Sequence, residues 1–189
     1  MPNFFSAFSS DVFRPLATLL LPGAIGLTTW VIALMWRFPV LKNLAVGNHT
    51  ETGFVLFFAM VFSGMVFEDF GARWEVLLDH RADGRTDGQH TKNWNAYLQV
   101  VFKSEPIGRR YARALVLRLK FELGVVFGMI SAGLGLIWLG VLGLRYSVLI
   151  SCGLLCLSFV VWGLIESSDT HKVLSKTRAA LLGTIRVVE

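Results

Sequence analysis

Charge is scarce in this chain, and the interiors of its long apolar segments have none. Of the 189 residues, 16% are charged and 54% are hydrophobic, whereas soluble domains average about 25% charged residues. A monomeric substrate-coupled transporter is therefore not expected, because such proteins hold polar or ionisable groups near the bilayer midplane. The apolar segments are Pro15–Trp36, Gly53–Phe67, Phe121–Leu144 and Ser147–Ile165.

Each apolar segment is long enough, or nearly so, to cross a bilayer. A span needs roughly 20 mostly apolar residues and must be helical, because lipid cannot satisfy exposed backbone polar groups. Met1–Asp11 has no basic residue, which favours a retained first span over a cleaved signal peptide. We therefore expect an all-α integral membrane protein with four transmembrane helices, forming one domain over residues 1–189.

Basic residues are nearly missing from one side of the predicted bundle. Fifteen of the 18 Lys and Arg residues fall before span 1, between spans 2 and 3, or after span 4. The positive-inside rule then predicts cytoplasmic N- and C-termini, and we expect location in a bacterial inner membrane. The same asymmetry accounts for the sequence pI of about 9.6, so nucleic acid is not an expected partner.

The helical pattern of span 2 continues beyond the membrane. Apolar positions recur to Leu78, which predicts one long helix ending in the turn-rich run 82–89. A short amphipathic helix is expected around Trp94–Phe102, and a helix through Arg109–Arg118 should run into span 3. Residues 71–118 thus form a cytoplasmic helical insertion. The tail, 166–189, is predicted to be a short amphipathic helix on the membrane or on that insertion, and Arg37–Thr52 a short external loop.

Sequence motifs for catalysis or cofactor binding are absent. The chain has no His-Glu-x-x-His, Cys-x-x-Cys, Gly-x-Ser-x-Gly or phosphate-loop pattern, and Cys152 and Cys156 are best explained as packing residues in span 4. No catalytic, cofactor or metal residue is assigned. Four residues near the cytoplasmic turn could still supply metal ligands or acid–base groups, without a specific spacing: Glu75, Asp79, His80 and His90.

Ionisable residues concentrate where spans 2 and 3 leave the bilayer. If the two helices are adjacent, their acidic and basic segments face each other as a ladder of salt bridges. The alternatives are a ring of charges at the mouth of an oligomeric pore, or a surface that binds a cytoplasmic protein. We call these residues the charged boundary: Glu68, Asp69, Glu75, Asp79, Arg109, Arg110, Arg113, Arg118 and Glu122.

Small residues mark one face of span 3 at near-helical spacing. They predict close helix packing, either within the chain or in a homo-oligomer. Together these features favour an oligomeric pore-forming, membrane-sensing or signal-receiving component with a cytoplasmic protein partner. A defence or stress effector fits by analogy, and a membrane enzyme acting on lipid head groups is the alternative. The small residues are Gly124, Gly128, Ala132 and Gly135.

Overall fold

The chain is entirely helical over the residues that the structure describes, apart from short connections. This computed structural model describes the backbone of residues 13–86, 88–99, 107–142 and 146–186, and the side chains of 18–85, 88–97, 111–142 and 146–181. The described part contains six helices: α1 (Phe13–Arg37), α2 (Pro39–Gly47), α3 (His49–Thr86), α4 (Gln89–Gln99), α5 (Ile107–Val141) and α6 (Tyr146–Arg186).

Four of these helices, α1, α3, α5 and α6, are long and apolar enough to cross a membrane. The predicted all-α, four-span fold is thereby confirmed. α3, α5 and α6 contain 38, 35 and 41 residues, so each extends well past the roughly 20 residues that a span requires. Their extra turns gather at one end of the bundle. We call this end, formed by 68–99, 107–122 and 166–186, the charged end.

α5 is the central helix, because it packs on α1, α3 and α6. Its side chains Leu119 and Leu123 are 0% and 1% exposed. α3, by contrast, turns Phe54, Phe58 and Phe62 outward, each more than 60% exposed. Large exposed apolar side chains on a long helix suit contact with lipid, whose tails are as apolar as the side chains themselves.

The small-residue face of α5 packs against α1 within the chain. A β-carbon at Gly128 would lie 2.7 Å from the carbonyl oxygen of Pro22, and one at Gly124 would lie 3.2 Å from the Pro22 ring. At Gly135, a β-carbon would collide with Thr29. Such glycines let two helix backbones approach closely. The contacts are those of the helix-packing alternative, and an oligomer would have to use another surface.

Hydrogen bonds cross the same α1–α5 interface. The indole Nε1 of Trp30 donates to the backbone oxygen of Ser131 at 3.1 Å, and the Ser131 hydroxyl donates to the carbonyl oxygen of Gly26 at 3.0 Å. Ala132, the next residue, is 5% exposed. Polar contacts between spans contribute about 0.6 kcal/mol each on average, so close packing remains the larger stabilising effect.

The predicted external loop contains a helix that sequence reasoning missed. α2 begins with Pro39 in its first turn, where the missing N–H of proline costs no hydrogen bond. Val40, Leu41 and Leu44 are all exposed. A short helix with exposed apolar side chains beside the bilayer is typical of an interfacial element. Between α1, α2 and the start of α3 lies an apolar cavity of about 610 Å³.

The tail predicted over 166–189 is not a separate short helix, since α6 runs from Tyr146 to Arg186 without a break. Neither glycine nor proline occurs in 164–182, so nothing in the sequence stops the helix after span 4. The extension packs on the helices of the predicted insertion, one of the two positions expected for the tail, with Leu174 fully buried in a cluster with Leu115 and Leu119 of α5. Three helices, rather than two, therefore project together.

Candidate metal site at the charged end

Three helices bring one carboxylate and two imidazoles together at the charged end. Asp79 comes from α3, His90 from α4 and His171 from α6, and we call these residues the Asp79 cluster. Asp79 and His171 are 92 positions apart in the chain. The meeting point therefore exists only because α6 continues past the membrane and lies beside α3.

The tight turn between α3 and α4 positions His90. Gly88 has φ +76°, in the left-handed region that suits glycine, and its N–H donates to the Asp83 carbonyl oxygen at 3.1 Å. The Asp83 carboxylate then accepts the N–H of Thr91 at 2.9 Å, and also the Thr91 hydroxyl. These bonds satisfy donors in the first turn of α4 and fix where that helix begins, next to Asp79.

Both imidazoles point at the same oxygen. His171 Nε2 lies 2.7 Å from Asp79 Oδ1, and His90 Nε2 lies 2.8 Å from it. Both histidine side chains are 6% exposed, whereas that of Asp79 is 40% exposed. The ring centroids are 5.3 Å apart, and the candidate ligand atoms of the cluster lie within 4.8 Å of one another. The cluster is closed on the protein side and open on one side of the carboxylate.

Side chains of α6 and α4 lie next to the cluster. The Nδ1 of His90 is 3.0 Å from the Ser175 hydroxyl on α6. α6 therefore contacts His90 itself through Ser175, and it contacts the carboxylate beside His90 through His171. The Arg178 guanidinium stacks 3.7 Å above the Trp94 ring. Hydrogen-bonded outer groups of this kind hold imidazoles in one orientation and one tautomer. The Ser175 contact therefore holds the His90 ring in place before any ligand enters.

The carboxylates here lie past the apolar part of α3 and differ in their acidity. Asp79 is 12 residues past Phe67, where the apolar part of α3 ends, which is about 18 Å along a helix. Burial pushes the pKa of Asp79 upward, but hydrogen bonds from His171 and His90 outweigh it and hold the pKa below its usual value. The pKa of Glu75, one turn earlier, is raised by burial and by the neighbouring Asp79 charge.

Two chemical roles fit this geometry. Without a metal, a carboxylate that accepts an N–H from each of two imidazoles is a stable hydrogen-bonded triad. With deprotonated Nε2 atoms, the same groups are a two-His, one-carboxylate ligand set, which suits Zn²⁺ and related first-row metals. Three protein ligands and one open position are typical of zinc sites that bind a further water or substrate.

The chain matches no protein-family model, no curated protein and no solved structure.

The charged boundary is divided among several contacts. One ion pair joins its acidic and basic segments, Lys120 Nζ to Glu68 at 3.2 Å. Asp69 pairs with Arg73 on its own helix at 3.0 Å. Asp79 is a member of the Asp79 cluster, and Glu75 lies one turn before it on α3. Among the ion pairs of the described side chains, the predicted ladder of salt bridges is therefore represented by the Lys120–Glu68 pair. Asp69 and Asp79, also acidic residues of α3, contact other partners.

The basic half of the charged boundary reaches α6 as well as α3. Arg118 donates from Nε to Glu122 and from Nη2 to Glu166, each at 2.6 Å. Arg113 is exposed on α5. The side chains of two predicted residues, Arg109 and Arg110, lie outside the described residues, as does part of the aromatic stripe predicted for α4.

Two members of the Asp79 cluster are among the four possible ligands that the sequence offers, although no metal residue was assigned, and the third was missed. Asp79 and His90 were among the possible ligands, but His80 is exposed and does not join them. His171 was missed because it lies in the tail, which was expected to form a short amphipathic helix on the membrane or on the insertion. The spacing of residues in the tail could have indicated that one helical face is buried. That face contains Thr170, His171, Leu174 and Arg178.

Proposed function

We propose that this protein is a signal-receiving membrane component whose ligand is a divalent transition-metal ion bound at the Asp79 cluster. The observation that carries the proposal is the convergence of two buried imidazoles, from different helices, on one carboxylate oxygen. Zn²⁺ fits best, because imidazole nitrogen and carboxylate oxygen are both among its usual ligands. The exposed side of Asp79 leaves room for a water as fourth ligand.

Metal binding at this site would join three helices outside the bilayer. Each ligand belongs to a different helix, and α6 meets α3 here mainly through side chains. In tetrahedral coordination with metal bonds of 2.0–2.1 Å, ligand atoms stand about 3.3 Å apart. The imidazoles would therefore move away from Asp79 by roughly 0.5 Å, and α4 and α6 would move with them. Through this movement, metal binding would change how α4 and α6 contact the membrane part or a partner protein.

Zinc titration of the metal-free full-length protein in detergent tests the proposal. Calorimetry should give one Zn²⁺ per chain, and His171→Gln should weaken binding by about 100-fold, within the range seen on loss of a ligand or its support. The matched control is His80→Gln, because His80 is exposed and adjacent to Asp79 but outside the cluster. Equal losses in the two variants, or no saturable binding in the native protein, would refute the proposal.

The alternative, an enzyme acting on lipid head groups, also has support from this site, because a ligand set with an open position and a nearby carboxyl at Glu75 suits metal-assisted hydrolysis. Its position argues the other way. The head-group layer extends only about 5–8 Å beyond the hydrocarbon, whereas Asp79 is about 18 Å along α3 from the end of its apolar part. A lipid head group would have to leave the bilayer to reach the metal.

Other parts of the proposal rest on the sequence. The distribution of basic residues supports cytoplasmic termini in a bacterial inner membrane, and a homo-oligomer and a cytoplasmic protein partner would fit a signal-receiving component. A pore has less support. The glycine face of α5 is used against α1, and Glu68 and Glu122 are paired within the chain. A role in defence would depend on such a pore.

A further inference from the structure

A second site lies at the bilayer surface, between α5 and α6, and does not depend on the Asp79 cluster. It is an apolar groove of about 260 Å³ that opens toward the lipid. Its walls are largely aromatic and aliphatic, including Phe121, Met129, Phe159 and Trp162. Phe159 and Trp162 are 50% and 63% exposed, so the groove is accessible from the side of the bundle.

Three ionised residues close one end of this groove. Arg118 bridges Glu122 and Glu166, with both nitrogen–oxygen distances 2.6 Å. The Glu122 side chain is only 14% exposed, and its second oxygen, Oε2, is buried with no hydrogen-bond partner in the described part of the chain. A buried carboxylate oxygen without a donor is costly, and a small turn of the Glu122 side chain toward the groove would let a ligand N–H reach it.

The groove and its charged mouth match the layers of a bilayer in depth. Glu122 is at the start of the apolar part of α5, and Glu166 directly follows the apolar part of α6. The mouth therefore lies at the level of lipid head groups, with Phe121 beside it, while the groove from Val125 to Met129 descends into the hydrocarbon. A molecule filling the whole site must have an apolar chain below and a polar group above.

We propose that the groove binds one phospholipid with a primary ammonium head group, of the phosphatidylethanolamine type. Its ammonium donates to Glu122 Oε2, and its phosphate accepts from N–H groups of Arg118 that the two carboxylates leave available. An acyl chain lies along Phe121 and Met129. Two carboxylates and one guanidinium give the mouth a net negative charge, which disfavours an anionic head group. A choline head group has no N–H to donate.

Native mass spectrometry of the full chain in detergent tests this site. The protein is offered equal amounts of phosphatidylethanolamine, phosphatidylcholine and phosphatidylglycerol with identical acyl chains. We expect one retained phosphatidylethanolamine, favoured over phosphatidylcholine by about tenfold, equivalent to about 1.4 kcal/mol. Glu122→Gln should abolish that preference while lipid is still retained, because the apolar groove is unchanged.

Two further variants keep the test decisive. Asp69→Asn is the matched control, since Asp69 lies at the same boundary but pairs within its own helix and outside the groove, so the preference should persist. Met129→Trp fills the groove and should lower retention of all three lipids, even if Glu122→Gln fails to fold. Equal retention of the ethanolamine and choline lipids, strongest binding of phosphatidylglycerol, or a lipid-free dimer that covers the groove would each overturn the proposal.

Discussion

The bilayer part and the charged end of this protein are held together by different contacts. In the bilayer part, α1, α3 and α5 meet through glycines whose missing side chains allow the backbones to touch. At the charged end, leucines form a small buried core, and polar side chains from three helices complete it. The difference follows from the solvent. Lipid offers no hydrophobic driving force between helices, whereas water does.

The two regions also differ in the kind of binding site that we propose for each. The bilayer part offers a lipid groove but no ionisable group deep in its apolar core, so its specificity comes from shape and from charges at its edge. The charged end brings together groups that are far apart in the chain, and in the described part of the chain only there do buried imidazoles meet a carboxylate. A change in the bilayer part should therefore act through steric packing, and a change at the charged end through burial and electrostatics.

The largest expected effect comes from filling a glycine contact in the bilayer part. A side chain at Gly64 would overlap the carbonyl oxygen of Leu19 on α1, while a side chain at Gly53, on the same helix, would meet nothing within 4 Å. We expect Gly64→Leu to destabilise the fold by about 3 kcal/mol, because the backbones must separate. Gly53→Leu, the matched control, should change stability by less than about 0.5 kcal/mol.

Unfolding in mixed detergent micelles, followed by tryptophan fluorescence, measures both Gly64→Leu and Gly53→Leu. Similar losses of stability in the two variants would mean that the α1–α3 contact is not what holds these helices together.

A smaller effect is expected from truncating leucines in the two regions. Leu119 is fully buried at the charged end, whereas Leu134, on the same helix, is 50% exposed in the apolar part of α5. Leu119→Ala should cost about 2–3 kcal/mol through lost burial and a cavity. Leu134→Ala should cost less than about 1 kcal/mol, because lipid contacts replace the lost side chain. The same unfolding measurement checks both, and equal costs would contradict the division between the regions.

Hydropathy and charge were enough to predict the spans and the projecting helices, because both depend on the local sequence. α2 was missed because its Pro39, Gly47 and polar residues are also typical of a loop. The continuation of the span 4 helix into the tail was missed for a different reason. The polar residues of 166–181 favour a separate surface helix, but Thr170, His171 and Arg178 are buried against neighbouring helices. Only tertiary packing distinguishes a helix whose polar residues are exposed from one whose polar residues are buried.

The Asp79 cluster could be predicted in part. Asp79 and His90 are 11 positions apart, on either side of the turn between α3 and α4, so their proximity follows from the Asp83–Gly88 hydrogen bond that closes this turn. His171 is 92 positions from Asp79, and no local pattern relates them. The pairing of Arg118 with Glu166 was missed for the same reason, since the predicted partner helix for Arg118 was α3 alone.

The smallest expected effect is electrostatic and concerns Glu75, at the edge of the Asp79 cluster. Burial is the main reason that its pKa is raised, and the Asp79 charge adds to it; Lys120, Arg178 and His171 act in the opposite direction but more weakly. A raised pKa means that the folded state prefers the protonated carboxyl. The ionised form at neutral pH therefore lowers stability, and this loss disappears as the pH falls through the raised pKa toward 4.5.

Glu75→Gln should consequently make the metal-free protein slightly more stable at pH 7, because glutamine resembles the protonated carboxyl. The gain should shrink as the pH falls and vanish below about pH 4.5, where the carboxyl is protonated in both the folded and unfolded states. Thermal unfolding in detergent with a chelator present, from pH 4 to pH 8, measures the difference. Glu51→Gln, at the exposed start of α3, should show no such pH-dependent gain. A Glu75→Gln variant that is less stable at pH 7 would mean that the surrounding cations outweigh burial, and that the charged end stabilises the ionised carboxylate.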